Sequence, residues 1–256
     1  MHPKSKRYTT SNRHRSTWWR NEFEKNYERI YAPILTKERT AKEVDFLHKV
    51  LRLKHGASVL DLACGYGRHA LELAKLGYDV FGTDQSPAFI AKAKRQAKRA
   101  GVHVTFKQQD MRELSMDHPM SAVIIMFTSF GYFPNDRDHQ KVLFRVARVL
   151  KSKGYFLLDL PNPYIIRMHL KPHPRRIGGL TLIDIYHPKT KRWSIVWKNR
   201  RGKTLIRAGV RIFSLAEITK MLRKTGFEIK KIWGEFDHSA FQKKSRRMIV
   251  LTQKIS

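Results

Sequence analysis

The sequence predicts an α/β fold in which helices cover both faces of a mostly parallel sheet. Three observations lead to this prediction: an apolar run that ends in a glycine turn, a repeated alternation of strand-like and helix-like segments, and cap residues at the segment boundaries. Short apolar runs bounded by turn residues are typical of buried strands, and apolar residues three or four positions apart are typical of helices packed on a sheet. A chain of 256 residues is long enough to bury one such core and to carry an addition.

The most informative segment is the apolar run 58–62 with the turn that follows it. Gly65 and Gly67 can take positive φ and carry no Cβ, so the chain can reverse sharply there. Residues 68–76 then have the apolar spacing of a helix. Because a ligand can approach the backbone N–H groups at the start of such a helix, this segment predicts a nucleotide-type cofactor site.

Two further predicted strands follow, and each ends in polar residues. The second, at 78–83, ends at Asp84, which lies nineteen positions after Gly65. This is where α/β cofactor folds place an acid that binds ribose hydroxyls. The third, at 102–107, leads into Gln-Asp-Met at 109–111.

Cap residues and apolar spacing predict the remaining elements. Ser86 and Gly101 suit the N-cap and the terminal glycine of a helix between them. Segments 40–43 (Thr-Ala-Lys-Glu) and 214–217 (Ser-Leu-Ala-Glu) have the spacing of a capping box, so each predicts a helix start. The apolar pattern also predicts a helix from Asp136 and strands at 122–127, 155–160, 227–233 and 247–252.

Three segments resemble successive cofactor motifs of class I S-adenosylmethionine-dependent methyltransferases. They are VLDLACGYGR at 59–68, GTDQS at 82–86 and QDM at 109–111. A dinucleotide-dependent dehydrogenase is a distant alternative, because its third motif glycine falls on Ala70. The resemblance implies a Rossmann-like, doubly wound sheet of seven mostly parallel strands, with the last strand inserted antiparallel.

The resemblance also implies that S-adenosylmethionine is the cofactor, and it assigns residues to each part of that molecule. It implies that the methionine part is surrounded by Asp61, Ala63, Gly65 and Gly67, and that Asp84 binds the ribose. Asp110 and Met111 would border the adenine, and Phe127 and Thr128 would form the floor of the site. Arg68 either binds the methionine carboxylate or is a solvated arginine of the first helical turn. Gln85 is one more candidate cofactor ligand.

Methyl transfer needs an acceptor held in line with the methyl group, and it needs a general base only when the acceptor starts protonated. Candidates for that base are Tyr132, Asp159 and His238, each with a structural alternative. No metal site is predicted, because the histidine pair His169 and His173 straddles a proline and no zinc-type spacing occurs.

Aromatic residues in two regions are candidates for contacts with cofactor or acceptor, although plain packing is the simpler interpretation. One set lies at near-helical spacing close to the N-terminus: Trp18, Trp19, Phe23, Tyr27 and Tyr31. The other set, Tyr186, Trp193 and Trp197, belongs to a segment with strand-like runs at 180–185, 193–197 and 205–213, which predicts a small antiparallel insertion.

We therefore divide the chain into a basic N-terminal tail and helix (1–39), a core (40–163 and 214–256) and a basic β insertion (164–213). The net charge is +31, and the insertion has thirteen Lys and Arg against Asp184 as its one acid. Such a surface either binds an acidic partner or is merely solvated. RNA or another polyanion is thus an alternative partner, and the charge leaves open an RNA-directed methyltransferase or a nucleic-acid-binding protein.

The favoured hypothesis is methyl transfer to O or N of a small molecule. Pyrimidine C5 methylation is disfavoured, because it needs a thiolate and Cys64, inside the cofactor turn, is the one cysteine. The single cysteine fits a reducing compartment, and no membrane span or secretion signal is visible, so we expect a cytoplasmic protein. The oligomeric state is not predicted.

Overall fold

The computed structural model of the protein describes residues 24–255, which form seven α-helices, a 3₁₀ turn (Met111–Glu113) and two β-sheets. The helices are α1 (Glu24–Tyr31), α2 (Lys37–Leu51), α3 (Arg68–Lys75), α4 (Pro87–Ala100), α5 (Asp136–Val149), α6 (Pro163–Ile166) and α7 (Leu215–Arg223). The core strands are β1 (Ser58–Leu62), β2 (Asp79–Asp84), β3 (Thr105–Gln108), β4 (Met120–Ile125), β5 (Leu150–Pro161), β10 (Phe227–Trp233) and β11 (Arg247–Lys254). The insertion strands are β6 (His173–Ile177), β7 (Leu180–His187), β8 (Arg192–Lys198) and β9 (Thr204–Arg211).

The core sheet has seven strands in the order β10-β11-β5-β4-β1-β2-β3. Strands β1 to β5 pair in parallel, and β11 pairs antiparallel with both β5 and β10. The predicted doubly wound sheet with an inserted antiparallel strand is therefore confirmed. The strand order reverses between β1 and β4, and ligands of such sheets bind at the carboxyl ends of the strands at this switch point.

Successive residues of the central strands face opposite sides of the sheet and fill two separate cores. Val59 packs with α2, α3 and α4 on one side, and Leu60 packs with α5 and α7 on the other. All five residues of β1 are buried, which explains why Val59, Leu60 and Leu62 are apolar on both faces of the sheet; Asp61 is the one charged residue of the strand. An acid at such a position must serve a purpose other than packing.

Most helix caps lie where the sequence predicts them. The Ser86 hydroxyl accepts from the Phe89 N–H at the start of α4, and Gly101 ends that helix in the left-handed conformation. The capping box at Ser214 is also present.

The predicted capping box at 40–43 is wrong. Thr36 caps α2 one turn earlier, so Thr40 and Glu43 lie inside the helix. Glu43 is consequently free of any capping role and is buried.

The insertion forms a separate four-stranded antiparallel sheet in the order β6-β7-β8-β9, and all four strands lie within 164–213. Strand β6 was not predicted, because its sequence HPRRI has no apolar alternation and its first four residues are exposed. Residues of α1 pack against this sheet: Ile30 belongs to its core cluster, and Asn26 donates a 3.2 Å hydrogen bond to the Leu205 carbonyl.

None of the helices formed by residues 24–255 is long and apolar enough to cross a membrane.

Candidate active site

A cavity opens at the carboxyl ends of β1, β2 and β4, beneath α1. Its walls combine the glycine turn, the end of β2, the segment after β3, the segment after β4, and aromatic residues of α1 and α4. Of the residues predicted to bind cofactor, those that line it are Asp61, Ala63, Gly65, Arg68, Asp84, Gln85, Met111 and Phe127.

The two glycines of the turn have different tasks. Both take positive φ, 57° at Gly65 and 83° at Gly67. Gly65 lines the cavity, and a Cβ added there meets no atom within 4 Å. A Cβ on Gly67 would lie 2.8 Å from the Phe106 ring, and Gly67 is not among the lining residues. Gly67 therefore lets the Phe106 ring of β3 pack behind the turn.

Non-glycine residues with positive φ also occur at the site: Ala63 (63°), Phe127 (53°) and Thr128 (63°). Backbone strain of this kind concentrates where geometry serves function. Ala63 and Phe127 line the cavity, whereas Thr128 lies behind it and accepts a 3.1 Å hydrogen bond from Arg247. The left-handed positions turn the chain at the ends of β1 and β4 toward the cavity.

Asp84 connects the end of β2 to the glycine turn. Its Oδ2 accepts from the Gly65 N–H at 2.9 Å, and its Oδ1 accepts from the Ser86 N–H at 2.9 Å. Burial raises the pKa of Asp84 to about 6, although these two backbone hydrogen bonds oppose the rise. A carboxylate has about four lone-pair sites, so Asp84 retains acceptor capacity for ribose hydroxyls facing the cavity.

Asp61 and Arg68 present buried polar atoms that have no hydrogen-bond partner among residues 24–255. These atoms are Oδ2 of Asp61 and Nη2 of Arg68. Burial raises the pKa of Asp61 to about 7; the nearby Arg68 charge opposes this rise and the Asp84 charge adds to it. Gln109 Oε1, in the same lining, is a third such atom. Buried polar groups are normally paired, so these orphan groups in one cavity indicate a ligand. An acceptor oxygen and a guanidinium donor match the ammonium and carboxylate groups of an amino acid, as the methionine part of S-adenosylmethionine requires.

Glu43 of α2 holds the other side of Arg68. Its Oε2 is hydrogen-bonded to Arg68 Nη1 and, at 2.8 Å, to His69 Nε2, while its Oε1 accepts from Arg39 Nε at 2.8 Å. Burial alone would raise the pKa of Glu43, but the bonds and charges of these neighbours hold it well below its usual range. Burial and the Arg68 charge lower the pKa of His69 to about 4, so His69 is neutral at pH 7 and the charged partners of the ionised Glu43 are the two arginines.

The predicted adenine end differs in detail. Gln109, Met111 and Arg112 line the cavity, whereas Asp110 is not among the lining residues. Instead, Asp110 Oδ1 accepts from the Arg112 N–H at 2.8 Å, and its Oδ2 accepts from the Arg112 guanidinium at 2.7 Å. Asp110 thus shapes the segment that carries Met111.

Of the three candidate bases, Tyr132 lines the cavity. Burial raises the pKa of Tyr132, so its phenol stays neutral. Asp159 lies behind the Phe127 backbone and accepts a 2.8 Å hydrogen bond from the Phe127 N–H. It also forms an ion pair with Arg247. His238 is exposed and packs against Phe46, away from the lining residues.

Aromatic residues of α1 close one side of the cavity. Tyr27 contacts Phe89 of α4, with ring centroids 5.2 Å apart, and Tyr31 contacts Phe127 at 5.6 Å. Both tyrosines line the cavity, as their spacing suggested; Trp18, Trp19 and Phe23 lie outside the described residues. Contrary to one expectation, Tyr186, Trp193 and Trp197 do not line the cavity and instead pack in the core of the insertion.

The sequence reasoning assigned no role to several lining residues, and only Gln109 among those named next belongs to one of the three motifs. They are Glu24, Phe89, Gln109, Arg112, Ser129 and Phe133. Gln109 and Arg112 lie next to Asp110 and Met111, which were predicted to border the adenine, and this position in the sequence was the available signal. The others come from helix faces and loops whose pairing depends on the tertiary fold.

Comparisons with known proteins agree with this geometry. A family model described as a methyltransferase domain matches residues 59–154. The chain is 38% identical to a glycine/sarcosine N-methyltransferase from Parasynechococcus marenigrum (strain WH8102) over 127 residues, which are 48% of this chain and 45% of that protein. It is 26% identical over 210 residues to the putative methyltransferase YqeM from Bacillus subtilis (strain 168), covering 77% of this chain and 83% of that protein.

Among solved structures, the CcbJ methyltransferase from Streptomyces caelestis superimposes with a TM-score of 0.74 at 19% identity, covering 84% of this chain and 90% of that one. This likeness concerns the fold. The match to the glycine/sarcosine enzyme spans less than half of that protein's length, so its activity does not pass directly to this chain. The predicted fold and cofactor class are nevertheless confirmed by the motifs, the sheet order and the matched domain together. Residues 59–154 thus match a methyltransferase domain, and the described residues have the fold of class I S-adenosylmethionine-dependent methyltransferases.

Proposed function

We propose that the protein transfers the methyl group of S-adenosylmethionine to an oxygen or nitrogen atom of a small molecule. One observation carries the proposal: Asp61 Oδ2 and Arg68 Nη2, both buried and both without a partner among residues 24–255, lie in the same cavity as Asp84. Together these groups provide an acceptor for the ammonium, a donor for the carboxylate and an acceptor for the ribose of one cofactor.

The remaining assignments follow from position in the cavity. Gln85, Gln109 and Met111 lie where the strand order leads us to expect the adenine, and Ala63 and Gly65 border the methionine part. Phe127 provides the floor. Gly67, Asp110 and Thr128 support these residues from behind, and we assign them no direct contact.

The cofactor supplies an electrophilic methyl group on a sulfonium. The protein's own contribution is to hold an acceptor in line with that methyl group and to exclude water. Tyr27, Tyr31 and Tyr132 suit this task, because their rings line the cavity. The neutral phenol of Tyr132 is suited to orient the acceptor by hydrogen bonding and poorly suited to remove a proton.

A small-molecule acceptor is supported by the relatives and by the lining. The glycine/sarcosine enzyme is named for small acceptors, and rings from α1 and α4 border the cavity in this chain. Neither the described residues nor the reported relatives favour the RNA-directed alternative, so we treat the excess positive charge as a solvated surface. A reducing compartment such as the cytoplasm completes the proposal, because Cys64 is buried and free.

A calorimetric titration with S-adenosylmethionine tests the cofactor assignment. We expect saturable binding that weakens by about tenfold or more in Asp84→Asn, which keeps the side-chain shape and removes the charge. Equal binding by the wild type and this variant would contradict the assignment. RNA binding measured at low and high salt tests the alternative, since phosphate contacts give a steep salt dependence.

A further inference from the structure

Glu43 lies sixteen positions before the segment that matches the methyltransferase domain, yet its carboxylate is bonded to the arginine of the cofactor turn. We propose that Glu43 is a positioning residue for the cofactor: it fixes Arg68 so that Nη2 is presented to the methionine carboxylate. This inference rests on the proposed function and extends it to a helix outside the recognised motifs.

The geometry of Arg68 supports this assignment. Its Nη1 is occupied by two groups of α2, Glu43 and, at 3.2 Å, the Thr40 hydroxyl. Its Nη2 is buried without a partner among residues 24–255, and Arg68 lines the cavity. Because a guanidinium is a rigid planar fork, fixing one Nη fixes the direction of the other.

The charges of the group lead to the same conclusion. Arg39 and Arg68 both lie over the Phe127 ring, at 5.1 and 5.7 Å from its centroid, and like charges so close repel each other. Glu43 is bonded to both guanidinium groups, and His69 is neutral at pH 7 because its pKa is lowered to about 4 by burial and by Arg68. Glu43 offsets one of these two positive charges. Asp61, whose pKa is raised to about 7, offsets the other only in part at pH 7, so a ligand carboxylate would still be attracted.

A purely structural role for Glu43 is the competing explanation, since its bonds also attach α2 to α3. The two roles differ in what they predict for ligands. A structural role weakens binding of every ligand of the cavity, whereas a positioning role weakens only ligands that carry a carboxylate.

Two thioether nucleosides separate these roles. S-adenosylhomocysteine carries the amino acid part, and 5′-methylthioadenosine has the same adenosine and sulfur without it. In Glu43→Gln we expect S-adenosylhomocysteine to bind about tenfold more weakly, as for a weakened charge-assisted hydrogen bond, and methylthioadenosine to bind with unchanged affinity. Equal weakening of both ligands, or of neither, would overturn the proposal.

A double-mutant cycle tests whether Glu43 acts through Arg68. In an Arg68→Ala background, Glu43→Gln should produce no further change in the ratio of the two affinities, because coupled residues are not additive. A further loss of the full tenfold would overturn the proposal. Glu72→Gln is the matched control, because Glu72 lies on α3 in an exposed pair with Lys75 and should change neither affinity.

Thr40→Val provides a second route if Glu43→Gln does not fold, as judged by circular dichroism. It removes the weaker of the two groups on Nη1, so we expect about threefold weaker binding of S-adenosylhomocysteine alone. An unchanged affinity ratio would overturn the proposal. Failure of the wild type to bind either nucleoside would instead overturn the cofactor assignment on which the proposal rests.

Discussion

The core sheet and the insertion sheet bury their apolar residues in different ways. Core strands such as β1 are buried along their whole length because helices cover both faces, whereas β7 alternates strictly between buried and half-buried residues. A strand that is covered on both faces has only its ends available for chemistry, and the cavity lies at those ends. The insertion has one packed face, which receives Ile30 of α1, and the residues of β7 on the other face, such as Ile183 and Ile185, are half-buried. The core thus provides the cofactor site, and the insertion supports the helix that borders it.

The largest expected effects concern packing. Leu60→Ala should lower the free energy of unfolding by about 4 kcal/mol, because the Leu60 side chain is fully buried in the core that α5 and α7 form with β1. Leu182→Ala in β7 should cost about 2 kcal/mol, because Leu182 keeps some exposure and its site can relax. Urea denaturation measures both losses. Equal losses would contradict the distinction between the core sheet, which is covered on both faces, and the insertion sheet, which is packed on one face.

The second expected effect compares a half-buried aspartate of the core, Asp84, with a fully buried aspartate of the insertion, Asp184. Asp84→Asn should weaken S-adenosylmethionine binding at least tenfold, since it touches the turn and the ribose position. Asp184→Asn in the insertion should leave that affinity unchanged and lower thermal stability, because Asp184 is fully buried and is paired with Arg175 at 2.5 Å. Calorimetric titration and thermal melts measure the two outcomes, and weaker cofactor binding by Asp184→Asn would make the insertion part of the site.

The third expected effect is a pH dependence that belongs to the core. Burial raises the pKa of Asp61 to about 7, so Asp61 is protonated and neutral below that pH. Only the ionised form attracts the cofactor ammonium, and the affinity should therefore rise several-fold between pH 6 and pH 8. Asp61→Asn should reduce this slope, leaving the part due to Asp84, whose pKa is about 6. A pH-independent affinity in the wild type would show that Asp61 does not face the ammonium.

The smallest expected effect lies at the exposed turn between β8 and β9. Arg201→Ala and Lys203→Ala are changes at exposed residues and should alter the free energy of unfolding by less than about 0.5 kcal/mol. Cofactor affinity should not change. A loss of cofactor affinity in either variant, measured by titration, would indicate that the basic surface is connected to the site.

Local sequence signals predicted those elements whose cause is local. The glycine turn, the N-cap at Ser86 and the capping box at Ser214 depend on residues a few positions apart, and all three are present. The apolar runs predicted every core strand, although β3 is shorter than expected and β5 begins earlier, at Leu150.

Long-range partners explain what the sequence did not predict. Glu43 has the spacing of a capping box with Thr40, but its partners Arg68 and His69 lie 25 and 26 positions away. No local pattern reports such a contact. Strand β6 was missed for a related reason: an edge strand of exposed basic residues forms because β7 offers it hydrogen bonds, and its own side chains give no strand signal.

The hydrogen bond from the Gly65 N–H to Asp84 has a consequence for how the protein meets its cofactor. The bond ties the turn to the end of β2, so one carboxylate both fixes the turn and faces the cavity. It also occupies the backbone N–H of Gly65, which is therefore already paired within the protein. In the proposed function, recognition of the methionine carboxylate therefore depends on the side chain of Arg68, which one substitution can alter.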